Sequence, residues 1–169
     1  RLYILHDVSL VDYSHHQRKE DLCAIGDGRG FGYELFSSFV VDPSGLPVGS
    51  AVVELRTSQG ILSSQSTSVL PFVDHYDQVE RSVLHCERIL PGKQLVHIGD
   101  REFDELGLMR SCRRSMFVFR AQHLNRLVRH RGELMPLRKA TQTVDLIEAG
   151  TVQRRVGQGV QQYSVHRGE

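Results

Sequence analysis

Apolar positions along this chain fall into short runs, and their spacing sorts them into strands and helices. Residues 2 to 5, continued by Val8 and Leu10, predict a strand that runs through Asp7. The segment YELFSSFVVDPSGLPVGSAVVELRT predicts two strands, 34 to 41 and 47 to 55, joined by Asp42-Pro43-Ser44-Gly45. In that turn proline fixes one dihedral and glycine tolerates a positive one. From Tyr76 to Leu90 the residues Val79, Val83, Cys86 and Leu90 recur on one helical face, and Pro91-Gly92 ends the helix. A strand at 94 to 99, a helix from 101 to 112 with Phe103, Leu106 and Met109 on one face, and a strand at 116 to 121 follow. The glycine-rich CAIGDGRGFGYE at 23 to 34 reads as a loop, and the Ser/Thr/Gln-rich stretch 56 to 72 as an irregular connection. Beyond Arg126 short alternating pieces with glycines and glutamines predict a second, β-rich unit. The expected class is α/β, a mixed sheet flanked by helices.

Composition narrows the classes. A chain of 169 residues buries a core without disulfides or structural metal. Its cysteines, Cys23, Cys86 and Cys112, are odd in number and form no CxxC pair, which argues against a disulfide framework or a zinc ribbon and fits a reducing compartment such as the cytoplasm. No apolar run approaches the roughly 20 residues that cross a bilayer, so no membrane association is expected. The chain opens at Arg1, inside a predicted strand, and is expected to be a segment of a longer protein.

The net charge of +1 conceals an asymmetry. Residues 1 to 100 hold 8 Lys/Arg against 13 Asp/Glu, and residues 101 to 169 hold 13 against 7, a surplus of 13 − 7 = 6 positive charges. Arg110, Arg113, Arg114, Arg120, Arg126, Arg129 and Arg131 supply most of it. Such a cluster neutralises nucleic-acid phosphates, or it is a solvated face.

The candidate chemistry begins at QLVHIGDREFDEL, residues 94 to 106, where a strand ends in Asp100-Arg101-Glu102. Read locally, Asp100 caps the following helix and Glu102 favours its positive end. Asp7 likewise reads locally as a strand-edge carboxylate bonded to Ser9. If the two strands are neighbours, however, Asp7 and Asp100 form half of a site for magnesium or manganese, which take hard oxygen ligands. Two such ions activate a water and stabilise the leaving oxygen in phosphodiester cleavage. Rival sites are weaker. His15-His16 point to different faces and no HxxxH accompanies them, the glycine-rich stretch lacks phosphate-loop spacing, and no GxSxG is present.

HDVSLVDYSHH (6 to 16), IGDGRGFGYELFSSFVVDPSGLPVGSAVVELRT (25 to 57) and HIGDREFDELGLMRSCRRSMFVFRAQHLNR (97 to 126) together resemble the catalytic domain of bacterial DDE transposases, in particular the insertion-sequence family four group of cut-and-paste elements. The resemblance implies an RNase H-like core over 1–126 and a C-terminal β-rich insertion over 127–169. The group's first motif, an Asp in a strand followed by Thr/Ser, an apolar residue and an aromatic, matches Asp7, Ser9 and Tyr13. Its second, Asp-Arg-Glu at a strand end, matches Asp100, Arg101 and Glu102. The third carboxylate of the group is a Glu on a helix after the β-rich unit, in a Tyr-x-x-Arg-x-x-x-Glu pattern. Here Tyr163 is followed by His166 where that pattern has Arg, and the sequence stops at Glu169, so none of Glu133, Glu148 or Glu169 is assigned to the role.

The resemblance implies a transposase catalytic-core fragment with Asp7 and Asp100 as catalytic metal ligands for two Mg2+ (or Mn2+) ions. The complete protein would cut DNA at transposon ends and transfer the strand to target DNA, as a dimer on DNA. Arg101 is expected to approach a DNA phosphate, Glu102 to support the ligands from behind, and Arg110, Arg113, Arg114, Arg120 and Arg126 to contact DNA. The alternative is a non-catalytic DNA-binding or assembly module, and a third reading is a metal-dependent nuclease with an unrecognised third ligand. The segment alone is expected to be inactive.

Overall fold

The computed structural model describes residues 1–16, 18–144, 146–156 and 159–168, leaving aside the side chains of Arg113 and of most residues from 146 onward. It is a mixed α/β structure, and the chain divides into two compact units, Arg1–Gln122 and His123–Glu169. The sequence reading put that division at 126/127.

The first unit is built on one sheet. Its strands are β1 (Leu2–Asp12), β2 (Cys23–Ile25), β3 (Gly30–Val41), β4 (Pro47–Thr57), β5 (Gly60–Ser63), β6 (Leu95–Gly99) and β7 (Met116–Phe119). They lie in the order β5-β4-β3-β1-β6-β7, with β2 paired to β3. β1, β3, β4 and β5 form an antiparallel meander, and β6 and β7 then join in parallel with β1. The crossover between the two halves is helix α1 (His75–Ile89), capped by Asp74, whose carboxylate accepts from the Tyr76 amide at 2.8 Å.

Strand period sets the core. Along β1, Ile4 and His6 turn inward and Leu5 and Asp7 turn out. The inward face of the sheet, including Phe36 and Val52, packs against Val79 and Val83 of α1 and against Leu108 and Cys112 of the short helix α2 (Leu106–Ser111) and the turn after it. Ile4, Val40, Cys86 and Leu95 extend this layer. Both helices therefore cover the same face. Leu5, Val53, Leu62, Met116 and Val118 on the other face remain partly exposed.

Three expectations are corrected. Residues 23 to 34 are a hairpin, β2 turning into β3 through Gly26 and Gly28 at positive φ, rather than a loop. Gly32 is glycine because a Cβ there would run into the Val11 carbonyl oxygen on β1. Within 56 to 72, β5 pairs with the end of β4, and Leu70 bridges back to Ile61. The single helix expected over 101 to 112 is split into a 3-10 turn at Arg101–Phe103, α2, and a second 3-10 turn at Cys112–Arg114. The split arises because Asp104 turns inward, where its carboxylate accepts from the Gln122 amide at 2.6 Å, and Glu105 starts a new helix by accepting from the Leu108 amide at 2.8 Å. The buried set is thus Phe103, Leu108 and Cys112, while Leu106 is exposed.

The second unit contains β8 (Leu127–His130) paired with β9 (Glu133–Pro136), helix α3 (Leu137–Gln142), and the hairpin of β10 (Leu146–Val156) with β11 (Gly159–Gly168). It is β-rich, and its one described helix is short.

Candidate functional site

The two aspartates are brought to the same level by strand pairing. β1 and β6 run in parallel with Leu2 opposite Leu95 and Leu5 opposite Ile98. Asp7 lies two residues past Leu5 on β1 and Asp100 two residues past Ile98, immediately after the end of β6, so the register brings both to the same end of the parallel pair. Asp7 is exposed, and Ser9 donates to its Oδ2 at 2.7 Å. Asp100 is exposed as well, and its Oδ1 accepts from the Glu102 amide at 2.9 Å, capping the 3-10 turn. Both local readings of these residues therefore hold, and each bond occupies one oxygen of a carboxylate that has two.

The donor set suits a hard divalent cation in part. Carboxylate oxygens are the ligand type such an ion takes, and magnesium characteristically completes its shell with water and phosphate. Among the described residues there is no group of three or more His, Cys, Asp or Glu placed to hold a metal. Glu133 belongs to the second unit, and Glu169 and the side chains of Glu148, Tyr163 and His166 lie outside the described ones.

Glu102 lines a cavity of about 270 Å³ with Val8, Leu10, Gly26, Glu34 and His75. There His75 Nε2 lies 3.3 Å from Glu34 Oε1 and Arg56 3.8 Å from the same oxygen. The bond to His75 holds the Glu34 carboxyl below its usual range, and the same bond raises His75. Tyr13 caps the far end of β1, with Lys19 4.6 Å above its ring and Tyr33 packed edge-on at 5.6 Å. It does not share the aspartates' surroundings.

The arginines are dispersed. Arg110 and Arg114 line a groove of about 480 Å³ on the helix layer together with Glu80 and Glu87. Arg101, just after β6, and Arg120, just after β7, are exposed, the Arg120 amide donating to the Gly99 carbonyl at 3.2 Å next to Asp100. Arg126, Arg129 and Arg131 belong to the second unit, and the Arg113 side chain lies outside the described ones.

Sequence reasoning missed the histidines beneath the site. His6 and His97 are buried on the inward face, 4% and 0% exposed, with His6 Nε2 2.9 Å from His97 Nδ1. Burial drives both below the usual imidazole range, His6 to about 3 with His97 as a further cause, and His97 to about 4. The signal was available, since His6 alternates with Ile4 and Val8, and His97 sits between Val96 and Ile98. No family model, curated protein or solved structure matches the chain.

Proposed function

We propose that this chain is part of the catalytic core of a DDE transposase of the insertion-sequence family four type, with an RNase H-like sheet. The observation that supports the reading is the parallel register of β1 and β6, Leu2 opposite Leu95 to Leu5 opposite Ile98, with Asp7 and Asp100 each two residues past the last pair. The strand order, an antiparallel meander continued by two parallel strands behind a crossover helix, agrees with an RNase H-like arrangement. In this reading Asp7 and Asp100 hold Mg2+ or Mn2+, Ser9 orients Asp7, and the cap on the Glu102 amide fixes Asp100. The ions would supply an activated water and charge stabilisation at the leaving oxygen of a DNA phosphodiester. Arg101 and Arg120, exposed around the same strand ends, would draw the DNA backbone toward the aspartates.

The second reading, a non-catalytic DNA-binding or assembly module, is favoured by one observation: the described residues offer two carboxylates and no third. Calorimetric titration with manganese decides between them. The catalytic-core reading expects weak binding that is lost in Asp7→Asn and in Asp100→Asn. Binding equal to wild type in both variants would remove the aspartates from any metal site and leave the binding module. Manganese is expected to bind more tightly than magnesium, following the order of divalent affinities.

A further inference from the structure

Beneath the aspartates, a row of four buried polar side chains crosses the sheet into α1. His97 on β6 bonds His6 on β1 at 2.9 Å, His6 Nδ1 lies 2.8 Å from Ser38 Oγ on β3, and Ser38 Oγ lies 2.5 Å from Ser82 Oγ on α1. The imidazole rings are near-coplanar, with centroids 5.1 Å apart and 12° between planes as the edge-to-edge bond requires, and Phe36 and Phe103 pack against His6. Taking four polar groups out of water here costs hydration that their hydrogen bonds return only in part, and among the described residues His97 Nε2 has no hydrogen-bond partner. An apolar pair of similar volume would fill the same space without that loss. What the histidine bond adds is direction and length.

Direction matters most at this pair of strands. β1 is held to β3 through ten residue pairs, from Tyr3 to Asp12, but to β6 through four, from Leu2 to Leu5. A slip of one residue between β1 and β6 would turn one aspartate to the other face, and a slip of two would separate them by about 6.6 Å along the strands. We infer that His6 and His97 are positioning residues for the Asp7–Asp100 pair, their bond fixing the register that keeps the two carboxylates level. The inference rests on the reading of those aspartates as metal ligands.

The bond also has a preferred polarity. If His97 Nδ1–H donates to His6 Nε2, and His6 Nδ1–H to Ser38, the orphan at His97 Nε2 is a bare lone pair. The reverse order would leave a buried N–H without an acceptor, the rarer defect in folded proteins. The group needed from residue 97 is therefore a donor at the Nδ1 position, which an asparagine amide nitrogen reproduces and a glutamine amide does not.

The test is manganese titration of the chain followed by electron paramagnetic resonance, with thermal unfolding measured on every variant. His97→Leu is expected to weaken manganese binding by about tenfold, as loss of a ligand-orienting contact does, while unfolding stays cooperative. His97→Asn should restore affinity to near the wild-type value, and His97→Gln should not. If His97→Leu fails to fold, the Asn and Gln variants, both polar, carry the comparison. Equal manganese affinity in wild type and folded His97→Leu, or in the Asn and Gln variants, overturns the positioning role while leaving Asp7→Asn and Asp100→Asn free to show that the aspartates bind metal. If wild type takes up no manganese, or the two Asn variants at 7 and 100 bind as it does, the metal-site reading falls and the positioning role with it.

Discussion

Gly32 shows how a single residue was misread by type and corrected by place. In a glycine-rich stretch it belongs to a loop pattern, yet in the sheet it lies opposite Asp12 of β1 and Cys23 of β2, where the Val11 carbonyl fills the space a Cβ would need. Backbone crowds it, and backbone cannot swing aside as a flexible side chain does. Gly32→Ala is therefore expected to destabilise the protein by about 2 kcal/mol or more, within the range of overpacking changes, read as a shift of the urea midpoint. A change under about 0.5 kcal/mol, the level of ordinary surface substitutions, would return the glycine to a loop role. The buried histidines make the second prediction at this scale. Both have folded pKa values below the usual imidazole value, about 3 for His6 and about 4 for His97, so below pH 6.5 the unfolded chain binds protons that the folded chain refuses. Their contribution to stability is complete above that pH and is lost as the pH falls toward 4, with a slope of up to about 1.4 kcal/mol per pH unit for each. His97→Asn should flatten the decline in denaturation curves taken from pH 7 to pH 4.5; an unchanged slope would show that His97 titrates normally.

Elements were legible where apolar spacing ran uninterrupted, as in β1, the β3–β4 hairpin and α1, whose Val79, Val83 and Cys86 are buried as their spacing implies. They were not where side chains override the backbone's local preference. From 101 to 112 the spacing of Phe103, Leu106 and Met109 suggests one helix, but a carboxylate buried for a long-range bond to Gln122 breaks it, and that partner lies 18 residues away. β5 was obscured for a related reason: four residues among serines and glutamines carry no period, and only the neighbouring edge of β4 gives them one. The break has its own signature at Glu105, which caps α2 in place of the more usual Asp or Ser. Glu105→Ala should cost about 1 kcal/mol, as removal of a helix cap does. Glu105→Asp is expected to retain most of that stability. Loss of less than about 0.3 kcal/mol in the alanine variant, too little for a cap, would mean that α2 is held by the packing of Leu108 alone.

For the molecule as a whole, the adjacency of β1 and β6 could be anticipated, because a mixed sheet flanked by helices can bring two such strands side by side. The direction in which the arginines point could not, since charge counts along a sequence carry no faces. Arg110 and Arg114 turn out to share the helix layer with Glu80 and Glu87, whereas Arg120 is exposed just beyond the end of β7, its amide bonded to the Gly99 carbonyl next to Asp100. If DNA approaches the aspartates, Arg120 should neutralise a phosphate and the other two should contribute less. Each phosphate contact adds about 0.9 to the slope of log affinity against log salt on duplex DNA. Fluorescence anisotropy with a short duplex across a salt series is then expected to show a steep wild-type slope that falls by about 0.9 in Arg120→Gln, with Arg110→Gln and Arg114→Gln falling by less. A wild-type affinity that is flat across that series would make the basic cluster a solvated face. A steep slope that drops in Arg110→Gln and Arg114→Gln but not in Arg120→Gln would move the DNA to the helix layer, away from the aspartates, and favour the binding module over the catalytic core.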